Sequence, residues 1–463
     1  MPNARLHAML APPGSVRVRV LLRGAWPAPR PSPQLAGAAM QPLGDWRRVT
    51  LTDLPNPEPA CWIADFEHGG LAAGVHTVTL GFADLPSDVL NVVVADTAST
   101  SSRLLYGSCF WVERFAGSTL AAMISEVTRS DPEHNEPRPL MFAALLGDQV
   151  YLDLPTVQSI LPRDDQALAK HCYQRYLHQW FDHEDFAALL RSAPVVMVPD
   201  DHELWNNAPR SAVHLMDTWT SGQRQTWLRI GRELFDQFQR IPPLTGEAGR
   251  SRLWICGKLH ALFLDARLSR DAQFQQLFDA ADRALIATWR DGLAASGHGS
   301  FGLLAIGQPL LDKDPGWFKQ RLVDATLADY ANDYRRLFDA LRAIPHPVAV
   351  RSGDVHFGRV SRIDPLPGHP QGPLVEAICS PFALIPDGKP GKPSFDLNHD
   401  AFKQHGYTPT KPHGIRSASM IGTLSIELAP KLAATAGWTY VEPGEEVRRS
   451  HHQRLLPAFG VAH

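Results

Sequence analysis

Cysteine is scarce in this chain: five in 463 residues, at positions 61, 109, 172, 256 and 379, with no Cys-x-x-Cys pair. An odd number at such wide spacing excludes a disulfide framework and a structural zinc ribbon. Charge of one sign is lacking too. Lys and Arg number 45 against 48 Asp and Glu, a formal net charge of −3, and no long Lys/Arg run stands out. Binding of nucleic acid by net charge is therefore excluded. No apolar run reaches the roughly 20 residues of a bilayer span. The stretch before Pro12-Pro13 is too short for the apolar region of a secretory signal, so a cytoplasmic protein without a membrane span is expected. There is no internal repeat. Gly388-Lys-Pro-Gly-Lys392 lacks the spacing and following helix of a phosphate-binding loop.

What the chain has is size and a change of texture. Its 463 residues exceed the span over which one core keeps growing, so roughly two domains are expected. Residues 1–100 alternate short β-like runs such as Ser15-Val-Arg-Val-Arg-Val-Leu-Leu22 with Pro/Gly turns, the pattern of a small immunoglobulin- or fibronectin-like β-sandwich. From Arg103 apolar strands alternate with helical segments, which predicts a layered α/β domain over 103–445. Strands are expected at 103–108, 140–147, 194–199, 252–256, 260–265, 303–307, 348–353 and 374–379. Helices are expected near 115–129, 165–192, 220–239, 271–295 and 323–343. The segment 381–414 reads as a long loop suited to be a lid, 418–442 returns to a β pattern, and 446–463 reads as a tail.

Four short clusters follow directly on apolar runs: Ser108-Cys109, Gly147-Asp148-Gln-Val-Tyr151, Asp200-Asp201-His202-Glu203 and Gly353-Asp354-Val-His356. In an open α/β sheet the carboxyl ends of strands face one crevice, so side chains distant in sequence converge there. Asp354 and His356 sit at alternate positions, which point the same way in extended backbone. Asp200 and Glu203 also stand at capping-box spacing, a purely structural use of both. That use leaves Asp201 and His202 unexplained. As a thiolate, Cys109 is a strong ligand for a transition metal. Together the clusters describe a metal site.

These motifs resemble the PhoD-like alkaline phosphatase branch of the calcineurin-like metallophosphoesterases. The match runs motif by motif through Ser108-Cys109, Gly147-Asp148-Gln-Val-Tyr151, Asp200-Asp201-His202-Glu203-Leu-Trp-Asn206-Asn207, Leu264-Asp265-Ala-Arg267-Leu-Ser-Arg270 and Gly353-Asp354-Val-His356. The resemblance implies a metallophosphoesterase α/β sandwich preceded by a small β-sandwich. It implies ferric iron held by Cys109, Asp148, Tyr151 and Asp354, and calcium near Asp148, one of Asn206 and Asn207, and His356. Thiolate and phenolate suit a trivalent transition metal, and carboxylate and amide oxygen suit calcium. Manganese, zinc and magnesium stand as alternatives.

The reaction so implied is hydrolysis of phosphate monoesters or diesters, by attack of a metal-bound hydroxide on phosphorus. His202 would serve as general acid or transition-state contact, with Asp201 beside it. Arg267 would offer a guanidinium fork to the phosphate oxygens, and Arg270 would assist substrate binding. The partner is then a small-molecule phosphate ester, with phospholipid or nucleotide diesters as a specialised variant. The competing reading is a catalytically silent binding or scaffold protein that works through its β-sandwich. Other chemical-looking groups have ordinary explanations: Asp182-His-Glu-Asp185 is a solvated helical face, and His260 a strand histidine.

Overall fold

A computed structural model describes residues 3–25, 30–82, 85–111, 119–129, 139–154, 164–273, 275–312, 326–382, 399–410, 413–415, 418–428, 432–441 and 449–456. Two large sheets lie face to face, each covered on its outer side by helices. The first runs in the order Arg449–Leu456, Ala433–Val441, Ser419–Glu427, Ser101–Gly107, Phe142–Leu146, Val195–Val198, Asn3–Met9, Val16–Arg23, Cys61–His68 and Gln41–Pro42. The second runs Arg252–Cys256, Leu259–Leu264, Phe301–Ile306, Val348–Ser352, Leu374–Ile378, Gly358–Pro365 and Tyr407–Pro409.

Alternation along the strands explains the layers, because successive side chains point to opposite faces. Leu104, Tyr106, Phe142 and Ala144 meet Trp254, Phe263, Leu303 and Ala305 in the core between the sheets. Phe142 packs edge-on to both Trp254 and Phe263, with ring centroids 5.5 Å apart in each pair. The alternate residues Leu105, Ala143 and Leu145 face the helices Asp165–Leu177, Glu184–Ser192 and Ser221–Phe238. On the far side Leu262, Leu304 and Val350 meet Ala280–Ala294 and Ala331–Arg342. A strand buried on both faces reads as a continuous apolar run, which is why these central strands stand out in the sequence.

The N-terminal residues form a β-sandwich of their own kind. Val16, Val18 and Val20 pack against Val78, Leu80, Leu90 and Val92, the latter on a small sheet that includes Gly74–Phe82 and Leu85–Val94. The expected boundary near residue 100 is not a break in hydrogen bonding, however. Asn3–Met9 joins the large sheet beside Val195–Val198, with Met9 in register with Val195, so one layer of the sandwich continues the first large sheet.

Other sequence expectations are adjusted. The helix expected over 165–192 is two helices separated by a wider turn at His178–Asp182, and that expected from 271 starts at Ala280. The stretch read as a tail contains the strand Arg449–Leu456, paired with Ala433–Val441. Of the expected lid, residues 383–398 and 411–412 lie outside the described residues. The rest includes the helix His399–Gln404 and the short strand Tyr407–Pro409.

Candidate metal centre

Three parallel strands of the first sheet, Ser101–Gly107, Phe142–Leu146 and Val195–Val198, end at one edge, where Val348–Ser352 of the second sheet also ends. Cys109, Asp148, Asp200 to Glu203 and Asp354 follow these four ends. Close approach of the two sheets there requires glycine. A Cβ on Gly353 would lie 2.2 Å from Ser108 Oγ and 2.8 Å from the Leu146 carbonyl, and one on Gly147, at φ +93°, would lie 2.3 Å from Asp200 Cβ.

The backbone itself is distinctive at these positions. Seven described non-glycine residues have positive φ, and five are Cys109, Asp148, Asn207, Asp354 and His356. A left-handed conformation strains residues with a Cβ, and such strain concentrates at functional sites. These turns bend the chain back immediately after the strands and bring the side chains inward.

Carboxylate oxygens of Asp148, Asp200, Asp201 and Asp354 lie within 4.8 Å of one another, and His202 joins Asp148 and Asp201 within the same limit. Cys109 Sγ sits 3.3 Å from Asp148 Oδ2 and 3.1 Å from Ser380 Oγ. The Tyr151 hydroxyl is buried without a hydrogen-bond acceptor or donor, as are Asp200 Oδ2 and Asp201 Oδ1. Such atoms are costly in a protein interior. His356 is placed by its own N–H, which donates to Ser380 Oγ at 3.2 Å. The side-chain oxygen of Asn206 accepts from Asn207 Nδ2 at 3.1 Å.

Crowded negative charge dominates the electrostatics. Burial, then the neighbouring Cys109, Asp201 and Asp200, push the Asp148 carboxyl well above its ordinary range. Burial likewise raises Asp200, against the pull of Arg267, and burial with Asp201 raises Asp354 to about 6. Asp201 goes the other way. Burial opposes its ionisation, but His202, Arg267 and the Asn207 N–H outweigh that and hold it below the usual carboxylate range. Burial pushes the Cys109 thiol up to about 12, and burial with Cys109 and Asp148 raises Tyr151 well above the usual phenol range. A buried cation would relieve all of these at once, so the donor set fits a metal ion.

Basic side chains balance part of this charge. Burial disfavours protonated His202, yet Asp153, Asp201 and Asp148 outweigh it and raise its pKa well above the ordinary value. Arg267 is 1 % exposed; its Nε donates to Asp200 Oδ1 at 2.7 Å and its Nη1 to the Ala208 carbonyl at 2.7 Å. Arg267, expected as a phosphate fork, thus directs these two donors to Asp200 and Ala208. Arg270 donates to Gln308 Oε1 at 2.9 Å, and Gln308 Nε2 donates to Asp354 Oδ2 at 3.1 Å.

Glu203 organises the loops instead of joining the carboxylate cluster. Its oxygens accept the N–H groups of Asp148 at 2.9 Å, Gln149 at 2.7 Å and Asp200 at 2.9 Å. The contact to Asp200 is the one that capping-box spacing anticipated.

Among solved structures, one described as "Structure of PhoD" superimposes with a TM-score of 0.64, covering 97% of this chain and 90% of that chain at 13% identity. The chain has the PhoD fold. At that identity PhoD shows the architecture alone, and the chemistry rests on the residues themselves. A calcium-binding mutant of beta-glucuronidase 2 from Bacteroides uniformis aligns over 98% of this chain and 60% of that one at 8% identity, with a TM-score of 0.22. A GH20 exo beta-N-acetylglucosaminidase from Vibrio harveyi aligns over 76% and 78% at 8% identity, with a TM-score of 0.12. Neither overlap bears on the fold. No family model and no curated protein matches the sequence.

Asp153 was missed in the sequence, although its carboxylate is 2.7 Å from His202 Nδ1 and its other oxygen accepts the Asn206 N–H at 2.9 Å. Nothing in the local pattern singles it out. Asp200 was read both as part of a strand-end cluster and as a helix cap, and its place among the four carboxylates appears once strands from both sheets are assembled. The solvated-face reading of 182–185 fits the exposed Glu184, which pairs with Arg5. His260 has its pKa lowered by burial and then by His346, as befits a histidine tucked into a strand.

Proposed function

We propose that this protein hydrolyses phosphate esters with the help of bound metal. The observation that carries the reading is the set of four mutually close, mostly buried carboxylates at converging strand ends, in a chain with the PhoD fold. Cys109, Asp148, Tyr151 and Asp354 would hold a ferric ion. Asp148, His356 and one of Asn206 and Asn207 would hold calcium, with Asp200 and Asp201 close enough to contribute. Such ions supply positive charge for the phosphoryl oxygens and acidify water.

The chain's own side chains do the rest. Asp153 fixes the His202 ring through Nδ1, leaving Nε2 as the nitrogen that holds the transferable proton. Protonated His202 is suited to donate it to the departing ester oxygen. Asp201, held ionised, keeps that imidazolium charged. Arg267 acts from behind Asp200 to lower the cost of ionising the cluster, and Arg270 positions Asp354 through Gln308.

The direct test is hydrolysis of p-nitrophenyl phosphate and bis-p-nitrophenyl phosphate by wild type and by Asp148→Asn and Cys109→Ala. Turnover lost by about 10²-fold or more in both variants, with the fold retained, supports the reading. A wild type inactive on both esters after addition of iron, calcium, manganese, zinc and magnesium salts points instead to the scaffold reading.

A further inference from the structure

A cavity of about 620 Å³ lies against the same loops that build the carboxylate cluster, and four arginines line it against one carboxylate: Arg210, Arg224, Arg232 and Arg270 against Asp271. Its volume is within the range of small-molecule sites. The side chains come from separate parts of the chain, so the concentration of positive charge is a product of the fold.

One wall is the helix Ser221–Phe238. Ser221, Arg224, Gln225, Leu228 and Arg232 line the cavity, and their three- and four-residue spacing places them on one side of the helix. The N-terminal, partly positive end of that helix lies at Ser221. Arg224 and Arg232 are anchored by backbone carbonyls. Arg224 Nη1 donates to Thr218 O at 2.8 Å and Trp219 O at 3.0 Å, and Arg232 Nε donates to Leu268 O at 2.8 Å. Carbonyls orient a guanidinium without cancelling its charge. Burial, and after it the nearby Arg250, depress the Arg232 pKa against the opposing pull of Asp265, Asp236 and Asp271.

The cavity adjoins the candidate centre. Arg270 lines it, and Gln308 connects Arg270 to Asp354. Pro209 lines it too, one residue beyond the Asn207-Ala208 pair.

We propose that this cavity receives a second phosphate group carried by the substrate, so that the ester cleaved belongs to a molecule with two phosphates. Guanidinium forks match phosphate oxygens in pairs, and four arginines line this cavity beside one lining carboxylate. The substrate assignment rests on phosphate-ester hydrolysis at the carboxylate cluster. The anion site does not.

Two experiments on the full chain separate these. In equilibrium dialysis of chelator-treated protein with inorganic phosphate, wild type is expected to bind about one equivalent. Arg224→Gln and Gln225→Glu are each expected to weaken binding at least about tenfold. Gln225 is exposed, so its replacement tests charge without disturbing the helix, and matching thermal melts confirm this. No binding by wild type, or equal binding by wild type and Gln225→Glu, overturns the anion site. In kinetics on the metal-loaded protein, Gln225→Glu is expected to lower kcat/KM about tenfold for adenosine 3′,5′-bisphosphate and to leave phenyl phosphate unchanged. Equal effects on both substrates overturn the two-phosphate assignment. Failure of wild type to cleave either ester overturns that assignment together with the hydrolase reading, and leaves the dialysis result to decide the anion site.

Discussion

His202 and Asp153 form a close pair, with Nδ1 of the half-buried ring 2.7 Å from Oδ1 of a carboxylate that is fully shielded from solvent. The second oxygen of Asp153 accepts the Asn206 N–H, so one side chain sets both the ring of His202 and the start of the Asn206-Asn207 turn. The Tyr151 ring lies against that of His202, tilted by 32° with centroids 4.2 Å apart. Asp153→Asn keeps the size of the side chain but removes the charge that favours imidazolium. It is expected to lower kcat by about 10²-fold, the scale of general acid catalysis, with metal content unchanged. The high-pH limb of the kcat profile should move down by about one unit or more. An unchanged profile would show that Asp153 serves the loop alone.

Glu203 accepts N–H groups from both loops that carry Asp148 and Asp200. Replacing it by Gln puts a donor NH₂ among backbone donors, which leaves buried N–H groups unsatisfied at about 1–3 kcal/mol each. Glu203→Gln is therefore expected to destabilise by about 2–4 kcal/mol, measured by urea unfolding. Loss of activity with undiminished stability would assign Glu203 a chemical role instead.

Asp354 is held at about 6 against an ordinary value of 3.8, by burial and by Asp201. In the metal-free protein the raised folded value means that the native state keeps a proton which the unfolded state has released. The group therefore opposes folding as pH rises from about 4 through 6, and the full penalty is present above the folded value. Asp354→Asn removes it, and Asn tolerates the left-handed backbone at φ +68° better than most residues. The chelator-treated variant is expected to be more stable than chelator-treated wild type by on the order of 2 kcal/mol at pH 8, with the difference shrinking towards pH 4. With metal loaded, the order should reverse. A variant less stable than wild type in both states would contradict the electrostatic picture.

The same shifts set the pH dependence of metal retention. Ligands must lose their protons before they bind, and Asp354 titrates at about 6 with Asp148 and Asp200 also raised. Affinity is expected to climb with pH and to fall about tenfold or more per unit below pH 6, read by competition with a chelator of known pH dependence. Retention that is flat between pH 5 and 8 would mean that these carboxylates are not the ligands.

Much of this was legible in the chain because strands buried on both faces leave apolar runs, and Cys109, Asp148, Asp200 and Asp354 follow such runs. What the sequence hides is partnership at long range. Asp153, Gln308 and Ser380 reach the centre through side-chain hydrogen bonds and carry no local signature. The joining of Asn3–Met9 to the large sheet is equally invisible, because a strand's pattern reports which faces are buried and not which neighbour it pairs with. Arg267 was read from chemistry as a phosphate contact, and its bond to Asp200 is another long-range partnership that the sequence does not display.

The most direct measurement of the central claim is elemental analysis of purified protein alongside ester hydrolysis, before chelation, after chelation and after metal return. Bound iron or another ligand-competent metal is expected, with activity that disappears on chelation and returns in proportion to metal rebound, and with both lost in Asp148→Asn. Full hydrolytic activity in protein shown to be free of metal would contradict the assignment.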